Sequence, residues 1–133
     1  MKDLGIILGI RPDVIRASKI IRLLSENKNI TYDFIWSGQH YSENMKDVFF
    51  KQLNVPKPDV EFEIDTTNDA STVSSVIKNT FNHLENNKYQ AVVFLGDTNT
   101  VMGSIGAAQH NIPIVHIEGC MRSYDWRMPE EKY

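Results

Sequence analysis

The sequence predicts an α/β protein, a doubly wound, Rossmann-like parallel sheet. Apolar runs of strand length alternate with helical patterns, and their order reads βαβαβαβαβ followed by the start of a helix. Nearly continuous apolar strands separated by helices of about 10–15 residues are typical of a parallel sheet covered on both faces. The length of 133 residues fits a single Rossmann-like domain with a modest core.

The elements of the first half follow from apolar periodicity and from capping residues. They are a strand over 4–8, a helix over 14–27, a strand over 32–37 and a helix that follows Ser42 as N-cap and runs through Leu53. Pro56 and Pro58 end this second helix, because proline cannot continue a helix and restricts the residue before it. Residues 60–64 alternate apolar and acidic side chains, which predicts a half-buried edge strand.

The second half continues the alternation up to a last helix start. It comprises a helix that opens at Ser71 or Thr72 and ends near Asn86, a strand over 91–95, a helix over 99–110 and a strand over 114–118. Small residues at positions 103, 104, 106 and 107 predict that the helix over 99–110 lies tight on the sheet or on a ligand. Pro129 fits the first position of a further helix. One helical turn contributes little alone, so we expect the front part of a longer protein.

Composition limits the partners. A net charge of −3 argues against nucleic acid, because phosphate backbones need a basic footprint. No apolar run approaches the roughly 20 residues of a membrane span, so no membrane partner is expected. Cys120 is the only cysteine, which excludes an intramolecular disulfide and favours a cytoplasmic location.

Three carboxylates stand at or just past the ends of predicted strands. Asp97 and Glu118 come at the ends of the strands over 91–95 and 114–118, and Glu130 follows the loop after the last strand. In open α/β sheets ligands bind beyond the carboxyl ends of the strands. If the three converge, their like charges allow one of them to hold a proton near neutral pH and to act as an acid or base. The alternatives are that Asp97 is an N-cap and that Glu130 complements a helix dipole. Glu118 is harder to explain structurally, because burying a carboxylate costs several kcal/mol.

Cationic and polar side chains flank the same predicted edge. Arg11 follows strand one at a helix N-terminus, an arrangement that binds anions; alternatively it caps carbonyls or pairs with Asp13. Arg16 lies within the first two turns of that helix. The loop that contains Gln39 and His40 follows strand two and borders the crevice. The usual dinucleotide and P-loop fingerprints are absent.

His116 shares a strand face with Glu118 in period-two geometry. A metal site there is disfavoured, because no second histidine has ligand spacing. A hydrogen-bonded structural role for His116 fits better, and neither a metal nor a cofactor is expected.

Five blocks of the chain match one family in register: GIRPDVIRASKII, SGQHYSENM, LGDTNTVMGSIGAAQHNIPIVHIEG, MRS and MPEE. They resemble the N-terminal domain of the non-hydrolysing UDP-N-acetylglucosamine 2-epimerases, whose pattern is roughly GTRPE-x-I-K, GQH, HGDT-x-T, H-x-EAGLR and PEE-NR. The resemblance covers essentially the whole chain. It implies a glycosyltransferase-B-like enzyme with its active site between two Rossmann-like domains. Residues 1–133 would form the first, and the C-terminal nucleotide-binding domain would be absent.

The resemblance also assigns roles to residues. It implies that Asp97, Glu118 and Glu130 are catalytic and that Arg11 meets the nucleotide phosphates. Arg16, Gln39, His40 and Arg122 match the other substrate-binding positions. The implied reaction interconverts UDP-N-acetylglucosamine and UDP-N-acetylmannosamine, or a related UDP-2-acetamido sugar, by loss and re-addition of UDP.

Several positions depart from the family pattern. The sequence has Ile10, Asp13, Arg16 and Leu95 where the family has Thr, Glu, Lys and His, and Glu118-Gly119-Cys120-Met121-Arg122 in place of EAGLR. The Glu118-Gly119 form is similar to the hydrolysing epimerases, so a hydrolysing relative or another transferase of the same architecture is one alternative.

The other alternative is a small Rossmann-like binding or signalling domain. A receiver-type signalling domain would need an acidic pair after strand one, where this chain has Arg11 and Pro12. We expect the isolated chain to lack epimerase activity. We also expect the exposed edge of strand five to associate with a second chain, which makes the protein a homo-oligomer.

Overall fold

A computed structural model describes residues 1–38, 43–128 and 131, and these residues form a five-stranded parallel sheet with the strand order β3-β2-β1-β4-β5. In chain order the elements are β1 (Lys2–Leu8), α1 (Arg11–Glu26), β2 (Tyr32–Trp36), α2 (Glu43–Gln52), β3 (Val60–Glu61), α3 (Asp69–Asn86), β4 (Tyr89–Leu95), a 3-10 turn (Asn99–Met102), α4 (Gly103–Gln109) and β5 (Ile114–Ile117). The predicted α/β, Rossmann-like fold class is confirmed.

The strand order places a switch in direction at the centre of the sheet. The chain runs outward from β1 to β2 and β3, then returns to the other side of β1 with β4 and β5. The connections therefore diverge beyond the carboxyl ends of β1 and β4, which opens a crevice there. Gly9 follows β1 and Gly96 follows β4, so both lie at the floor of this crevice.

Each face of the sheet carries its own apolar core. The α1 and α2 side packs Val14, Ala17 and Ile21 of α1 and Phe50 of α2 against Ile6, Leu8, Phe34, Trp36 and Leu95 of the sheet. The α3 and α4 side packs Leu84 and Ala107 against Ile7, Ile35, Tyr89, Val92 and Phe94. The edge strand β5 is less covered, because Ile114 and Val115 remain 40% and 45% exposed. None of the described helices is both long and apolar enough to cross a bilayer.

Several predicted boundaries were wrong: β1 begins at Lys2 rather than at 4, α1 spans Arg11–Glu26 rather than 14–27, and β4 begins at Tyr89 rather than at 91. For two further boundaries the physical reason is identifiable. β3 covers only Val60–Glu61 rather than 60–64, because its partner β2 ends at Trp36, whose carbonyl accepts the last hydrogen bond from the Phe62 N–H. The predicted alternation of exposure persists beyond the strand, with Phe62 buried and Glu63 exposed. α3 begins at Asp69 and not at 71–72, because the Asn68 side chain caps it by accepting from the Ser71 N–H at 2.9 Å.

The predicted helix over 99–110 divides into the 3-10 turn and α4, and α4 lies tight on α3 as well as on the sheet. A Cβ at Gly103 would lie 2.7 Å from Thr80 Oγ1 and 3.1 Å from a ring carbon of Phe94. A Cβ at Gly106 would lie 2.8 Å from the Phe81 nitrogen. Gly103 and Gly106 therefore serve helix packing.

A chain of polar groups closes the opposite, amino-terminal edge of the sheet. Tyr89 Oη donates to the buried Asp33 Oδ2 at 2.6 Å, and Lys2 Nζ pairs with the other Asp33 oxygen. His83 Nε2 lies 2.8 Å from Tyr89 Oη, whose proton is already directed at Asp33, so His83 is the donor. Asn87 Nδ2 then faces the free lone pair of His83 Nδ1 at 3.4 Å. The network thus requires neutral His83.

The stability of the fold should fall as the pH drops below about 6.5, the ordinary pKa of a histidine side chain. Burial lowers the pKa of His83 in the fold, although the Asp33 charge opposes the shift and the Lys2 charge adds to it. The unfolded chain therefore binds this proton more readily than the folded protein does. The stabilisation that neutral His83 provides is complete above its pKa in the unfolded chain, and it is lost as the pH falls through its pKa in the folded protein. Urea unfolding at pH 5 to 8 measures the loss, at about 1.4 kcal/mol per unit of pKa depression.

The matched variant is His83→Gln, whose amide N–H can still donate to Tyr89 but does not titrate. It should flatten the pH dependence between 5 and 7. Below about pH 4 both proteins should weaken together. Burial would raise the pKa of Asp33, but hydrogen bonds from Lys2 and Tyr89 outweigh it and lower this pKa. An unchanged slope in His83→Gln would contradict the assignment to His83.

Candidate active site

The loops after β4 and β5 are joined by two hydrogen bonds. The Gly96 N–H donates to the Ile117 carbonyl at 3.0 Å, and His116 Nε2 lies 2.6 Å from the Gly96 carbonyl. A carbonyl only accepts, so His116 carries a proton on Nε2 and donates it. Gly96 has φ +78°, which a glycine adopts without strain. The hydrogen-bonded structural role predicted for His116 is confirmed, and the joined loops bring Asp97 beside Glu118.

A cavity of about 290 Å³ lies between these loops. Its polar lining consists of Asp97, Thr98, Ser104, His116, Glu118 and Arg122. Three of the predicted site residues, Asp97, Glu118 and Arg122, therefore share one cavity. The N-cap position of the next helix falls on Thr98, so the alternative that Asp97 is the cap is wrong.

Arg16 joins α1 to this cavity. One of its terminal nitrogens, Nη2, donates to Asp13 Oδ1 at 2.6 Å, and the other, Nη1, binds Glu118 Oε2. Asp13 and Arg16 stand three residues apart on α1, so they face the same side of the helix. Asp97 is close enough for its charge to act on both Asp13 and Arg16. One guanidinium thus lies among three carboxylates.

Asp13 is the carboxylate of this cluster that sequence reasoning missed as a site residue. Its side chain is fully buried in the first turn of α1. Burial raises the pKa of Asp13; the hydrogen bond and charge of Arg16 oppose the shift, and the charges of Asp97 and Glu118 add to it. An acid held near like charges was expected, but on Asp97, Glu118 or Glu130. The spacing Asp13-x-x-Arg16 was the available signal.

Glu118 is held in an unusual backbone conformation. Its φ of +63° lies in the left-handed region, which costs a non-glycine residue about 1–3 kcal/mol. β5 therefore ends at Ile117, and the turn directs the Glu118 side chain to Arg16. A side chain at Gly119 would collide with the His116 ring, so glycine is required after the turn. Backbone strain of this kind often accompanies a functional site.

Arg11 lies on the other side of α1. Its guanidinium carbon is 5.3 Å from the ring centroid of Phe49 on α2, within the range of a cation–π contact. The Asp13 carboxylate, which we considered as a partner of Arg11, instead binds Arg16. Gln39, His40 and Glu130, the other predicted site residues, lie outside the described part of the chain.

A second cavity of about 600 Å³ opens on the α3 side of the crevice. Residues with hydroxyl or amide groups line much of it, among them Ser37, Thr66, Asn68, Thr98 and Thr100. Ser37 Oγ and Thr100 Oγ1 are 3.0 Å apart and buried, and Ser37 Oγ also donates to the Leu8 carbonyl at 3.4 Å. These hydroxyls tie together the ends of β1 and β2 and the 3-10 turn. Both residues lie in the blocks SGQHYSENM and LGDTNT, but the sequence did not indicate this role for them.

The loop after β5 is ordered by its own polar groups. Asp125 Oδ1 accepts from the Arg127 N–H at 3.1 Å and from Arg127 Nε at 2.9 Å. The Ser123 N–H donates to Glu131 Oε1 at 2.6 Å, which closes the loop onto Glu131. In residues 1–38, 43–128 and 131, no three His, Cys, Asp or Glu side chains form a group able to hold a metal ion.

A family model described as UDP-N-acetylglucosamine 2-epimerase matches residues 22–133. A UDP-N-acetylglucosamine 2-epimerase of Methanocaldococcus jannaschii is 41% identical over 129 residues, which cover 96% of this chain and 35% of that protein. A UDP-2,3-diacetamido-2,3-dideoxy-D-glucuronate 2-epimerase of Pseudomonas aeruginosa is 34% identical, and the match covers 94% of this chain and 36% of that protein. The chain spans about a third of the length of these curated relatives.

Solved structures give the same picture. The crystal structure of the Methanocaldococcus jannaschii UDP-GlcNAc 2-epimerase in complex with UDP-GlcNAc and UDP superposes with a TM-score of 0.87 at 40% identity, covering 98% of this chain and 36% of that one. The Neisseria meningitidis UDP-GlcNAc 2-epimerase bound to UDP-GlcNAc gives a TM-score of 0.83 at 27% identity, and the match covers 99% of this chain and 36% of that one.

Proposed function

Because this chain belongs to the UDP-N-acetylglucosamine 2-epimerase family, we propose that it forms one wall of a sugar-nucleotide 2-epimerase active site. The substrate is UDP-N-acetylglucosamine, UDP-N-acetylmannosamine or a related UDP-2-acetamido sugar. The observation that carries the proposal is the meeting of Asp97, Glu118 and Arg16 at the crevice beyond β4 and β5. The matched epimerases, two of them solved with UDP-GlcNAc, support this choice of substrate.

The chemistry accounts for the types of residue at the crevice. The C2 proton of a UDP-sugar is only weakly acidic, so its removal is coupled to loss of UDP from C1. A base takes the C2 proton, the C1–O bond breaks with its electron pair on UDP, and a glycal forms. UDP then adds back to C1 as an acid returns the proton to the other face of C2. Carboxylates suit this reaction because C1 gains oxocarbenium character.

We assign the two proton transfers to Asp97 and Glu118, and their shared position in the lining of one cavity supports this assignment. Glu130 is retained as a third catalytic candidate on the resemblance alone. Arg11 and Arg16 supply positive charge at and near the N-terminus of α1, which favours an anionic leaving group. Gln39, His40 and Arg122 complete the proposed substrate-binding set. No cofactor enters this scheme.

The remaining partners belong to the same proposal. A C-terminal domain beyond this chain would hold most of the nucleotide and form the other wall of the cleft. We keep the cytoplasmic location, which rests on the single cysteine. We also keep a homo-oligomer, because the edge strand β5 leaves Ile114 and Val115 exposed. Light scattering at rising protein concentration tests the last point, and a constant monomer mass would contradict it.

Product analysis tests the function. The longer protein that contains this chain should convert UDP-GlcNAc to UDP-ManNAc in D2O, with deuterium incorporated at C2. Release of free N-acetylmannosamine and UDP would instead indicate the hydrolysing alternative, which the Glu118-Gly119 form keeps open. Residues 1–133 alone should give neither product, and epimerisation by that chain would refute the need for a second domain. If the longer protein neither converted UDP-GlcNAc nor bound UDP, the result would favour the alternative of a small Rossmann-like binding domain.

A further inference from the structure

Asp13 is a buried acid to which the proposed mechanism gives no role. It is fully buried in the first turn of α1, a helix of 16 residues. Its Oδ1 accepts from Arg16, whereas its Oδ2 is buried and has no hydrogen-bond partner among the described residues. An incompletely satisfied buried carboxylate lowers stability. The position thus carries the cost of burying an incompletely satisfied negative charge.

The geometry of Arg16 shows what the carboxylate provides. A guanidinium is a rigid planar fork, so fixing one terminal nitrogen fixes the direction of the other. Asp13 holds Nη2, and the second nitrogen then meets Glu118 across the crevice. Gly96 leaves room for this arrangement, because a Cβ there would lie 3.0 Å from Nη2. The Arg16 side chain is 41% exposed, so without Asp13 solvent would compete for it.

We propose that Asp13 is a positioning residue, which holds Arg16 between Glu118 and the crevice so that Arg16 can exchange Glu118 for an oxygen of an entering diphosphate. In the empty site Arg16 neutralises Glu118. When a diphosphate binds Arg16, Glu118 is released as an unpaired carboxylate able to accept a proton. The inference deepens the proposed function and rests on it for the identity of the anion.

A positioning role and a merely structural role predict different results for Asp13→Asn. The variant removes a buried negative charge that the fold disfavours, while the half-exposed Arg16 loses a partner that water can replace. Since the pKa of Asp13 is raised by burial, its ionisation opposes folding at neutral pH. We therefore expect Asp13→Asn to melt at the same temperature as the wild type or higher, yet to loosen Arg16.

Side-chain NMR of the ¹⁵N-labelled chain measures the loosening directly. The Arg16 signal is assigned by its loss in Arg16→Lys. In the wild type its terminal N–H groups should exchange slowly by rotation about the Nε–Cζ bond. In Asp13→Asn the exchange should be about tenfold faster, the effect of losing one charge-assisted hydrogen bond. Asp13→Glu keeps a carboxylate at the same helical spacing and should restore slow exchange.

Asp125→Asn is the matched control, because Asp125 also binds an arginine, Arg127, but at the surface loop. It should mobilise Arg127 and leave Arg16 unchanged. Slow Arg16 exchange in Asp13→Asn, or equal mobilisation of Arg16 in the control, would overturn the positioning role. That result would leave the proposed function intact, because the measurement needs neither activity nor substrate.

Titration with UDP tests the exchange of partners. The titration uses the longer protein, because its C-terminal domain would hold most of the nucleotide. UDP should shift the Arg16 signal of the wild type, and Asp13→Asn should need about tenfold more UDP for the same shift. Equal affinity in the two proteins would overturn the positioning role. A wild-type Arg16 signal that UDP does not move would remove the diphosphate from the inference and count against the proposed role of Arg16 in substrate binding, whatever the exchange rates show.

Discussion

Asp97→Asn should lower the turnover of the proposed epimerase by about 10²–10⁴-fold, the usual contribution of a positioned acid or base. The amide fills nearly the same space, so the cavity that Asp97 lines with Glu118 and Arg122 should keep its shape. The amide cannot take or return the C2 proton, and it also removes one of the negative charges around Arg16. Substrate binding should therefore change far less than turnover.

The measurement is kcat and KM for UDP-GlcNAc on the longer protein, together with deuterium exchange at C2 in D2O. Asp125→Asn again serves as the control, because it removes the charge of an acid whose partner, Arg127, lies in the same surface loop. It should keep kcat within about twofold of the wild type, as is usual for changes away from the chemistry. Wild-type exchange at C2 in Asp97→Asn would exclude Asp97 from proton transfer.

Glu118→Gln provides a second comparison, because it also breaks the ion pair with Arg16. A loss of turnover similar to that of Asp97→Asn is expected, again about 10²–10⁴-fold. The double variant should be little worse than either single one if both acids act on the same proton transfers, since residues that work as a unit are non-additive. Fully additive losses would assign them to independent steps.

The placement of Asp97 and Glu118 was predictable because it depends on local pattern. Apolar runs identified β4 and β5, and parallel strands bring their carboxyl ends to one edge of the sheet. The same pattern could not identify Asp13 as part of the cluster. Its burial depends on where α1 docks, and the contact between Arg16 and Glu118 joins residues 102 apart in the chain.

Other differences also come from tertiary contacts. The small residues of α4 predicted a tight approach, but only the packed structure shows that α3 is one of the surfaces approached. The short β3 results from the length of its partner rather than from its own alternation. The hydroxyl pair of Ser37 and Thr100 joins residues 63 apart, and although both lie in blocks that match the family, neither block indicates that they meet. Long-range packing, which a single sequence does not display, decides these features.

Gly9→Ala should destabilise the fold by about 1–3 kcal/mol, the range for overpacking a closed site. A Cβ at Gly9 would overlap Thr100 Oγ1 and lie 3.1 Å from Ser37 Oγ. Both hydroxyls are buried and bonded to each other, so neither can swing into solvent. The strain must then be relieved by separating the end of β1 from the 3-10 turn. This separation would widen the crevice on which the proposed active site depends.

A double-mutant cycle with Thr100→Ala isolates the collision. Thr100→Ala alone should cost about 0.5–1.5 kcal/mol, because it removes the hydrogen bond to Ser37. It also removes the atom that the new methyl group would strike, so the double variant should be more stable than the sum of the single losses predicts. Urea unfolding of the four proteins gives the coupling energy. Simple additivity would mean that Gly9→Ala acts through something other than Thr100.

Gly5→Ala is the matched substitution, because Gly5 lies within β1, the strand that Gly9 follows. A Cβ at Gly5 would meet the Tyr89 ring at 3.2 Å, which small adjustments of the ring can relieve. It should therefore cost less than Gly9→Ala and should show no coupling to Thr100→Ala. Equal losses at the two glycines would indicate a general intolerance of side chains along β1. A larger, Thr100-dependent loss at Gly9 would instead show that the closed contact between β1 and the 3-10 turn sets the floor of the crevice.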